Sequence, residues 1–265
     1  MRSVKLYFHY CKLSILKALE YRSSFFVGLF GLIMINGVSL LLIWVMLSNF
    51  HTLNGWNFWE IMLNYSMFLA CLGFHNVFFK HLGDLEDYIL EGTFDRFLLR
   101  PCSTFLQLIG DKLSVPDISD FMLGLFGIIL SYLKLKLHWA IGKWFLLLFY
   151  LCNGILIFTI LLLAISSLSF WIIKSSPFLY GTIEIQESVQ HYPISIFGKG
   201  FKFIVSIILP YALINYYPSM VLLGKVKGNY ILRYFIFTVV ITLIFLNITI
   251  VLWKKGIDHY QSTGS

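Results

Sequence analysis

Residues 83–101 read Gly83-Asp84-Leu85-Glu86-Asp87-Tyr88-Ile89-Leu90-Glu91-Gly92-Thr93-Phe94-Asp95-Arg96-Phe97-Leu98-Leu99-Arg100-Pro101. Five acidic residues and two arginines lie in this stretch, and a long apolar segment flanks it on each side. Charged side chains are costly in hydrocarbon, so the stretch must lie outside a bilayer that the flanking segments enter. It is therefore a natural contact surface for a soluble partner.

The composition is that of a polytopic membrane protein. Of the 265 residues, 58% are hydrophobic, 18% are aromatic and only 12% are charged, and the mean hydropathy is +0.81. Soluble domains carry about 25% charged residues. The formal charge of +7 fits basic residues at the ends of membrane spans. No continuous basic face on a soluble domain is present, so no nucleic-acid partner is predicted.

Long apolar runs predict six transmembrane helices, because about twenty apolar residues cross the hydrocarbon core. The predicted spans are residues 24–48, 56–79, 117–133, 144–173, 201–220 and 230–253. The third span is expected to start at Ser114-Val115-Pro116-Asp117, where proline and aspartate favour a helix N-terminus. Within that span, Gly124 and Gly127 are expected to permit close helix packing.

The N-terminal residues 1–23 are predicted to form an amphipathic helix in the headgroup region, because their basic residues recur on one helix face. The alternative is a plain basic tail that only sets orientation. The fold class is thus an all-α integral membrane protein with six transmembrane helices, an N-terminal amphipathic interfacial helix and cytoplasmic segments that include 178–200. Residues 24–258 form the membrane domain, and 259–265 form a C-terminal tail.

The distribution of basic residues predicts that both termini are cytoplasmic. Lysines and arginines precede the first span, and none lies in the short link 49–55 that follows it. This topology leaves six basic residues outside, against the positive-inside rule: Lys134, Lys136, Lys143, Lys225, Lys227 and Arg233.

Sequence motifs for catalysis or nucleotide binding are absent. The chain has no Gly-x-x-x-x-Gly-Lys-Ser/Thr phosphate loop, no His-Glu-x-x-His and no Gly-x-Ser-x-Gly. We therefore expect no enzyme activity, no catalytic residue, no metal and no cofactor bound by this chain. Spans three to six are also predicted to hold no ionisable residue at mid-membrane depth, which argues against a proton- or sodium-coupled carrier.

Three stretches, in order along the chain, resemble one known family. Residues 91–101 match a Gly-x-hydrophobic-Asp-x-x-Leu-Leu-Arg-Pro pattern, residues 191–197 read His-Tyr-Pro-Ile-Ser-Ile-Phe, and residues 209–218 read Leu-Pro-Tyr-Ala-Leu-Ile-Asn-Tyr-Tyr-Pro. These resemble the loop after span two, the Tyr-Pro element before span five and the end of span five in ABC type-2 permeases. The resemblance extends to a bacterial class of six-helix export half-permeases.

The resemblance implies a permease subunit in a bacterial cell (inner) membrane, surrounded by lipid and driven by a separate ATP-binding-cassette ATPase. A second permease subunit, identical or paralogous, would complete the path. ATP and Mg²⁺ would be bound by the ATPase and not by this chain. The spans offer mainly apolar and aromatic side chains, which favours a hydrophobic or amphipathic substrate such as a peptide, a lipid or a drug.

The residues expected to couple to the ATPase lie in the charged stretch. They are Glu91, Gly92, Phe94, Asp95, Arg96, Phe97, Leu98, Arg100 and Pro101. Gly92 would break a helix and Pro101 would end the segment. Phe94, Phe97 and Leu98 are expected to fill a groove on the ATPase, with the charged residues fixing its angle. The alternative is a solvated loop whose apolar residues lie on the membrane surface.

Two further groups of residues complete the predicted sites. The second cytoplasmic segment contributes Glu184, Glu187, Tyr192 and Pro193, and the substrate path is predicted to involve Asn64, Phe68, Asn76, Pro210, Tyr211, Asn215 and Pro218. For the last four residues, a belt of interfacial tyrosines with structural prolines is the alternative. For the chain as a whole, the alternative function is a non-transporting membrane scaffold or immunity protein that binds a peptide or a membrane partner.

Overall fold

The computed structural model describes residues 22–50, 52–100, 103–172 and 174–261, so most of the predicted N-terminal amphipathic helix lies outside the described residues. Across these ranges the chain is helical and contains no β-strand, which confirms the all-α prediction. The α-helices are α1 (Arg22–Phe50), α2 (Phe58–Phe79), α3 (Leu85–Leu90), α4 (Asp95–Leu98), α5 (Thr104–Asp111), α6 (Ile118–Lys134), α7 (Ile141–Ser166), α8 (Ser176–His191), α9 (Lys199–Phe203), α10 (Tyr216–Leu222) and α11 (Asn229–His259).

Within the described residues, five helical stretches are long and apolar enough to cross a membrane. They are Phe26–Val45, Phe58–Leu90, Val115–Lys134, Ile141–Phe170 and Asn229–His259. Local sequence explains where some of them begin. At the start of α2, the Asn57 side chain accepts a hydrogen bond from the Glu60 N–H at 3.0 Å, and the Glu60 carboxylate accepts one from the Asn57 N–H at 2.9 Å. This capping box fixes the helix start.

Helix α2 lies at the centre of the bundle and packs most closely on α6. A Cβ atom added at Gly73 would meet the backbone of Phe121, and one at Gly124 would lie 2.6 Å from the Ala70 Cα. At Gly127 a Cβ atom would collide with the Ser66 side chain. The predicted packing role of Gly124 and Gly127 is confirmed. Small residues matter here because lipid is as apolar as the helix surfaces, so helices associate through close packing and not through the hydrophobic effect.

Helix α8 connects the two ends of the bundle. At its N-terminus, the Ser176 N–H donates to the Glu86 carboxylate at 2.6 Å. Beyond its C-terminus, the Asn54 amide, in the link between α1 and α2, donates to the Ser195 carbonyl at 2.8 Å. We call these the Glu86 end and the Asn54 end. The sequence predicts that residues 178–200 form a segment at one end of the bundle, and this prediction is wrong. The sixteen residues of α8 run about 24 Å from one end to the other.

The region predicted as span five is a bent pair of helices. Lys199–Ile208 and Tyr211–Leu222 meet at 79°, and the break falls at Pro210, which has no N–H to continue a helix. Lys199 follows Ser195 closely at the Asn54 end. The other arm returns there, because the Leu222 carbonyl accepts hydrogen bonds from Trp139 in the α6–α7 link at 3.1 Å and from Lys143 in the first turn of α7 at 3.0 Å. The pair is thus a re-entrant hairpin and not the predicted crossing.

Candidate functional site

The charged stretch folds into a compact cap on the Glu86 end of the bundle. Its apolar side chains pack on residues from α5, the end of α7 and the end of α11, in a cluster that includes Leu82, Leu85, Phe94, Phe97, Leu108, Phe170 and Trp253. Phe94 is 0% exposed and Phe97 is 1% exposed. The sequence predicts that these two side chains fill a groove on a partner, and this prediction is wrong. They fill the core of this chain and hold the stretch against the spans.

Gly92 supplies the break between α3 and α4. Its φ of +68° lies in the left-handed region that side chains disfavour, so glycine is the residue that fits there. The turn is closed by the Phe94 N–H, which donates to the Tyr88 carbonyl at 2.9 Å. The predicted role of Gly92 as a helix breaker is confirmed.

From Glu91 onwards, the residues of the stretch that remain exposed form one surface with polar and apolar side chains. We call it the loop face, and it consists of Glu91, Arg96, Leu98, Leu99 and Arg100, with Asp95 half-buried at its edge. Leu99 is 84% exposed, so the loop face offers an apolar contact beside its charged residues. The Arg96 guanidinium lies 4.7 Å from the centre of the Phe97 ring, so the buried core orients this exposed cation. Pro101 lies outside the described residues.

Glu86 is a functional candidate that sequence reasoning missed. Its buried carboxylate accepts hydrogen bonds from the N–H groups of Ser175 at 2.7 Å and Ser176 at 2.6 Å, and from their hydroxyls at 3.0 and 3.3 Å. A negative charge at a helix N-terminus is favourable because unpaired N–H groups and the helix dipole face it. One side chain of the cap therefore holds the start of α8.

A basic residue steadies the same cap. Lys112, just after α5, pairs with Asp84 at 3.1 Å and lies 5.3 Å from the centre of the Tyr88 ring. Partial burial acts to lower the pKa of Lys112, but the hydrogen bond to Asp84 and the nearby negative charge outweigh it and raise the pKa. The lysine therefore stays charged and ties α5 to the cap.

The residues predicted for a second cytoplasmic segment are spread along the bundle. Glu184 and Glu187 lie on the exposed side of α8, at mid-length and beyond. Tyr192 and Pro193 follow α8 towards the Asn54 end, next to Ser195. The four residues do not come together at the Glu86 end, because α8 separates them from it.

The predicted path residues lie mostly inside this one chain. Asn64, Phe68, Asn215 and Pro218 are buried, and Pro210 sits at the break of the re-entrant hairpin. The Asn215 amide donates to the Val189 carbonyl at 3.0 Å, and its oxygen accepts the Tyr216 N–H at 2.8 Å. Asn215 thus serves backbone groups near the break and joins the hairpin to α8. Asn76 and Tyr211 line a cavity at the Glu86 end.

One acidic group lies deeper than the sequence predicts. Asp120 is buried, and its carboxylate accepts a hydrogen bond at 2.8 Å from the amide of Asn36, near the middle of α1. Tyr65 donates to the oxygen of the same amide. Spans three to six therefore do hold an ionisable residue inside the bundle. The described residues contain no group of three or more His, Cys, Asp or Glu side chains that could hold a metal ion.

Comparison with known protein families gives a match. A family model described as ABC-2 family transporter protein matches residues 32–264, which include the cap, most of α1 and all of the other described spans. Neither the curated proteins nor the solved structures contain a match to the chain.

Proposed function

The chain belongs to the ABC-2 family of transporter proteins, and from this we propose that it is the permease half of an ATP-driven exporter whose ATPase is a separate subunit. It would move a hydrophobic or amphipathic substrate such as a peptide, a lipid or a drug. The Glu86 end would face the cytoplasm of a bacterial cell, with both termini on that side and the N-terminal helix in the surrounding lipid. Membership of a transporter family disfavours a non-transporting scaffold or immunity protein.

The observation that carries this proposal is the link from the loop face to α8. The loop face and Glu86 belong to one cap, and the Glu86 carboxylate holds the N-terminus of a helix that runs to the opposite end. An ATPase that pushes on the loop face would therefore displace α8 along its length. The buried Phe94 and Phe97 support this transmission, because a close-packed core passes on displacement.

The exposed side of α8 supports a second permease subunit. Glu184 and Glu187 lie on that side, about 12 to 17 Å along the helix from Ser176. A charged side chain that faces hydrocarbon at this depth is costly, so such residues in membrane proteins face another chain or water. Two copies with their α8 helices facing each other would cover both glutamates and enclose a polar path. In this arrangement α8 is the sixth membrane crossing.

The loop face is expected to bind the ATPase. Arg96→Glu combined with Arg100→Glu reverses two exposed charges, and we expect co-purification of the ATPase from membranes to fall to background. Charge-assisted hydrogen bonds are among the strongest polar contacts at an interface, and like charges oppose docking. The measurement is the amount of ATPase that is retained on the affinity-tagged permease.

The matched control is Lys254→Glu combined with Lys255→Glu, which reverses two exposed charges at the same end of the bundle but outside the loop face. We expect this variant to retain the ATPase. Full retention by the Arg96 and Arg100 variant, with normal membrane insertion, would remove the loop face as the docking surface.

The pairing through α8 is expected to be detectable by disulfide crosslinking. Gly181 lies on the exposed side of α8, and a Cβ atom there would have no neighbour within 4 Å. With the native cysteines replaced, Gly181→Cys should form a covalent pair of permease chains on mild oxidation, because equivalent residues approach each other across a two-fold axis. The assay is non-reducing electrophoresis of membranes.

Gly142→Cys provides the control for this experiment. Gly142 is equally unhindered but lies at the start of α7, at the Asn54 end. We expect no crosslink from this position. Crosslinking at Gly142 in place of Gly181 would show that a different face pairs.

A further inference from the structure

A cavity of about 630 Å³ opens between α2, α7 and α8 at the Glu86 end. Its volume lies within the range of roughly 300–1,000 Å³ that is usual for small-molecule sites. Much of the wall is apolar and is formed by Leu72, Phe158, Leu162, Leu179, Ile183 and Tyr211. The cavity therefore offers a hydrocarbon or aromatic body a place inside the bundle.

Two amide side chains from different helices line this cavity. Asn76 lies on α2 and Gln186 on α8, and both are half-buried. Neither side chain forms a hydrogen bond to another described residue, although amide groups inside a helix bundle normally have a hydrogen-bond partner. The two amides are thus available to the polar atoms of a bound molecule.

The mouth of the cavity is acidic. Asp84, Glu86 and Asp87 lie there with a single lysine, Lys80. Asp84 is engaged with Lys112, Glu86 with α8, and Lys80 with Asp117 at 3.5 Å. Asp87 is exposed and forms no ion pair with any residue that the structure describes. An uncompensated carboxylate at the mouth of an apolar cavity attracts a cation and repels an anion.

We propose that this cavity is a binding site for an organic cation with an apolar body, in which the body lies against Phe158 and Leu162 and the positive charge lies at Asp87. The cavity would be the inward-facing substrate site of the permease, and its substrates would be organic cations. This part of the proposal rests on the proposed function. The ligand enters from the Glu86 end and leaves when α8 moves. The site lies within one chain, so occupancy does not need the second subunit.

The test uses two probes with the same shape and opposite charge, tetraphenylphosphonium and tetraphenylborate. Equilibrium dialysis is performed on the purified chain in a non-ionic maltoside detergent, with detergent alone as the blank. We expect saturable binding of the phosphonium cation, and binding of the borate anion weaker by about tenfold or more, because charge at the mouth discriminates by sign. Equal binding of the two probes, or no saturable binding of the cation, overturns the proposal.

Three variants locate the site. Asp87→Asn should weaken phosphonium binding about fivefold, the effect of removing one exposed ion pair at the upper end of the usual range. Asn76→Trp should abolish binding by filling the cavity. Asp258→Asn removes an exposed acid at the same end outside the cavity and should bind as the wild type does. Asp87 is exposed and its side chain has no ion-pair partner among the described residues, so we expect Asp87→Asn to fold. If this variant binds phosphonium as the wild type does, the site is overturned, whether or not Asn76→Trp folds.

The binding assay contains no ATPase, which separates this proposal from the function it rests on. Cation-selective binding that is weakened in Asp87→Asn supports the site even if no ATPase co-purifies with the chain. An ATPase that co-purifies through the loop face, together with a chain that binds neither probe, overturns the site and leaves the permease assignment standing.

Discussion

Replacing Glu86 with alanine is expected to lower the free energy of unfolding by about 3 kcal/mol, because the N-terminus of α8 then loses a charged acceptor that serves four donors. The Ser175 side chain is fully buried, so water does not replace the carboxylate freely. Glu86→Gln keeps the shape and one acceptor oxygen, and should lose about half as much. The measurement is the midpoint of thermal unfolding in detergent, with tryptophan fluorescence as the signal.

Asp258→Ala is the control for this change. It removes an acidic side chain at the same end that is exposed and not tied to a helix N-terminus. We expect its unfolding midpoint to stay within error of the wild type. Equal midpoints for Glu86→Ala and Asp258→Ala would mean that the Glu86 contacts do not stabilise α8. A functional readout extends the test, since Glu86→Gln should also reduce ATPase stimulation by substrate while the loop face still docks.

Gly124→Leu is expected to have a large effect on folding, because it places a side chain at the contact between α2 and α6. A Cβ atom at position 124 meets the backbone of Ala70, which cannot rotate away as a side chain can, so α2 and α6 must separate. Separation would open the centre of the bundle, and we expect a loss of about 4 kcal/mol or more. The measurement is the yield of monodisperse protein by size-exclusion chromatography after membrane extraction.

Gly37→Leu is the matched control for helix packing. Gly37 lies in the apolar helix α1, and a Cβ atom there has no neighbour within 4 Å. The same glycine-to-leucine change should therefore leave the yield close to that of the wild type. A similar loss in both variants would point to impaired membrane insertion and not to the α2–α6 contact.

The basic residues at the Asn54 end illustrate what charge counting does not capture. Lys225 pairs with Glu60 at 2.9 Å, Lys143 donates to the Leu222 carbonyl at 3.0 Å, and Lys134 lies 5.7 Å from the centre of the Trp59 ring. These contacts join different helices at the Asn54 end. If both termini are cytoplasmic, as we propose, these structural contacts would explain why three of the six basic residues outside depart from the positive-inside rule.

The sequence by itself determined the class of the molecule and most of its long helices. Apolar runs of sufficient length indicate helices that can enter a membrane, because every backbone group there must bond within its own segment. Local chemistry also indicated the turn before α6, the break at Gly92 and the close approach at Gly124. Each of these features depends on residues that are neighbours along the chain or on the absence of a side chain.

Only the tertiary structure decided the course of α8 and of the re-entrant hairpin. Helix α8 contains two glutamates, so its hydropathy is typical of a surface segment. Its path from one end of the bundle to the other depends on contacts with residues that are far away in sequence. Glu86 meets Ser175 across 89 positions, and Asn54 meets Ser195 across 141 positions. Hydropathy measures the preference of a segment for lipid, whereas the position of a polar helix depends on which other chain segments satisfy its polar groups.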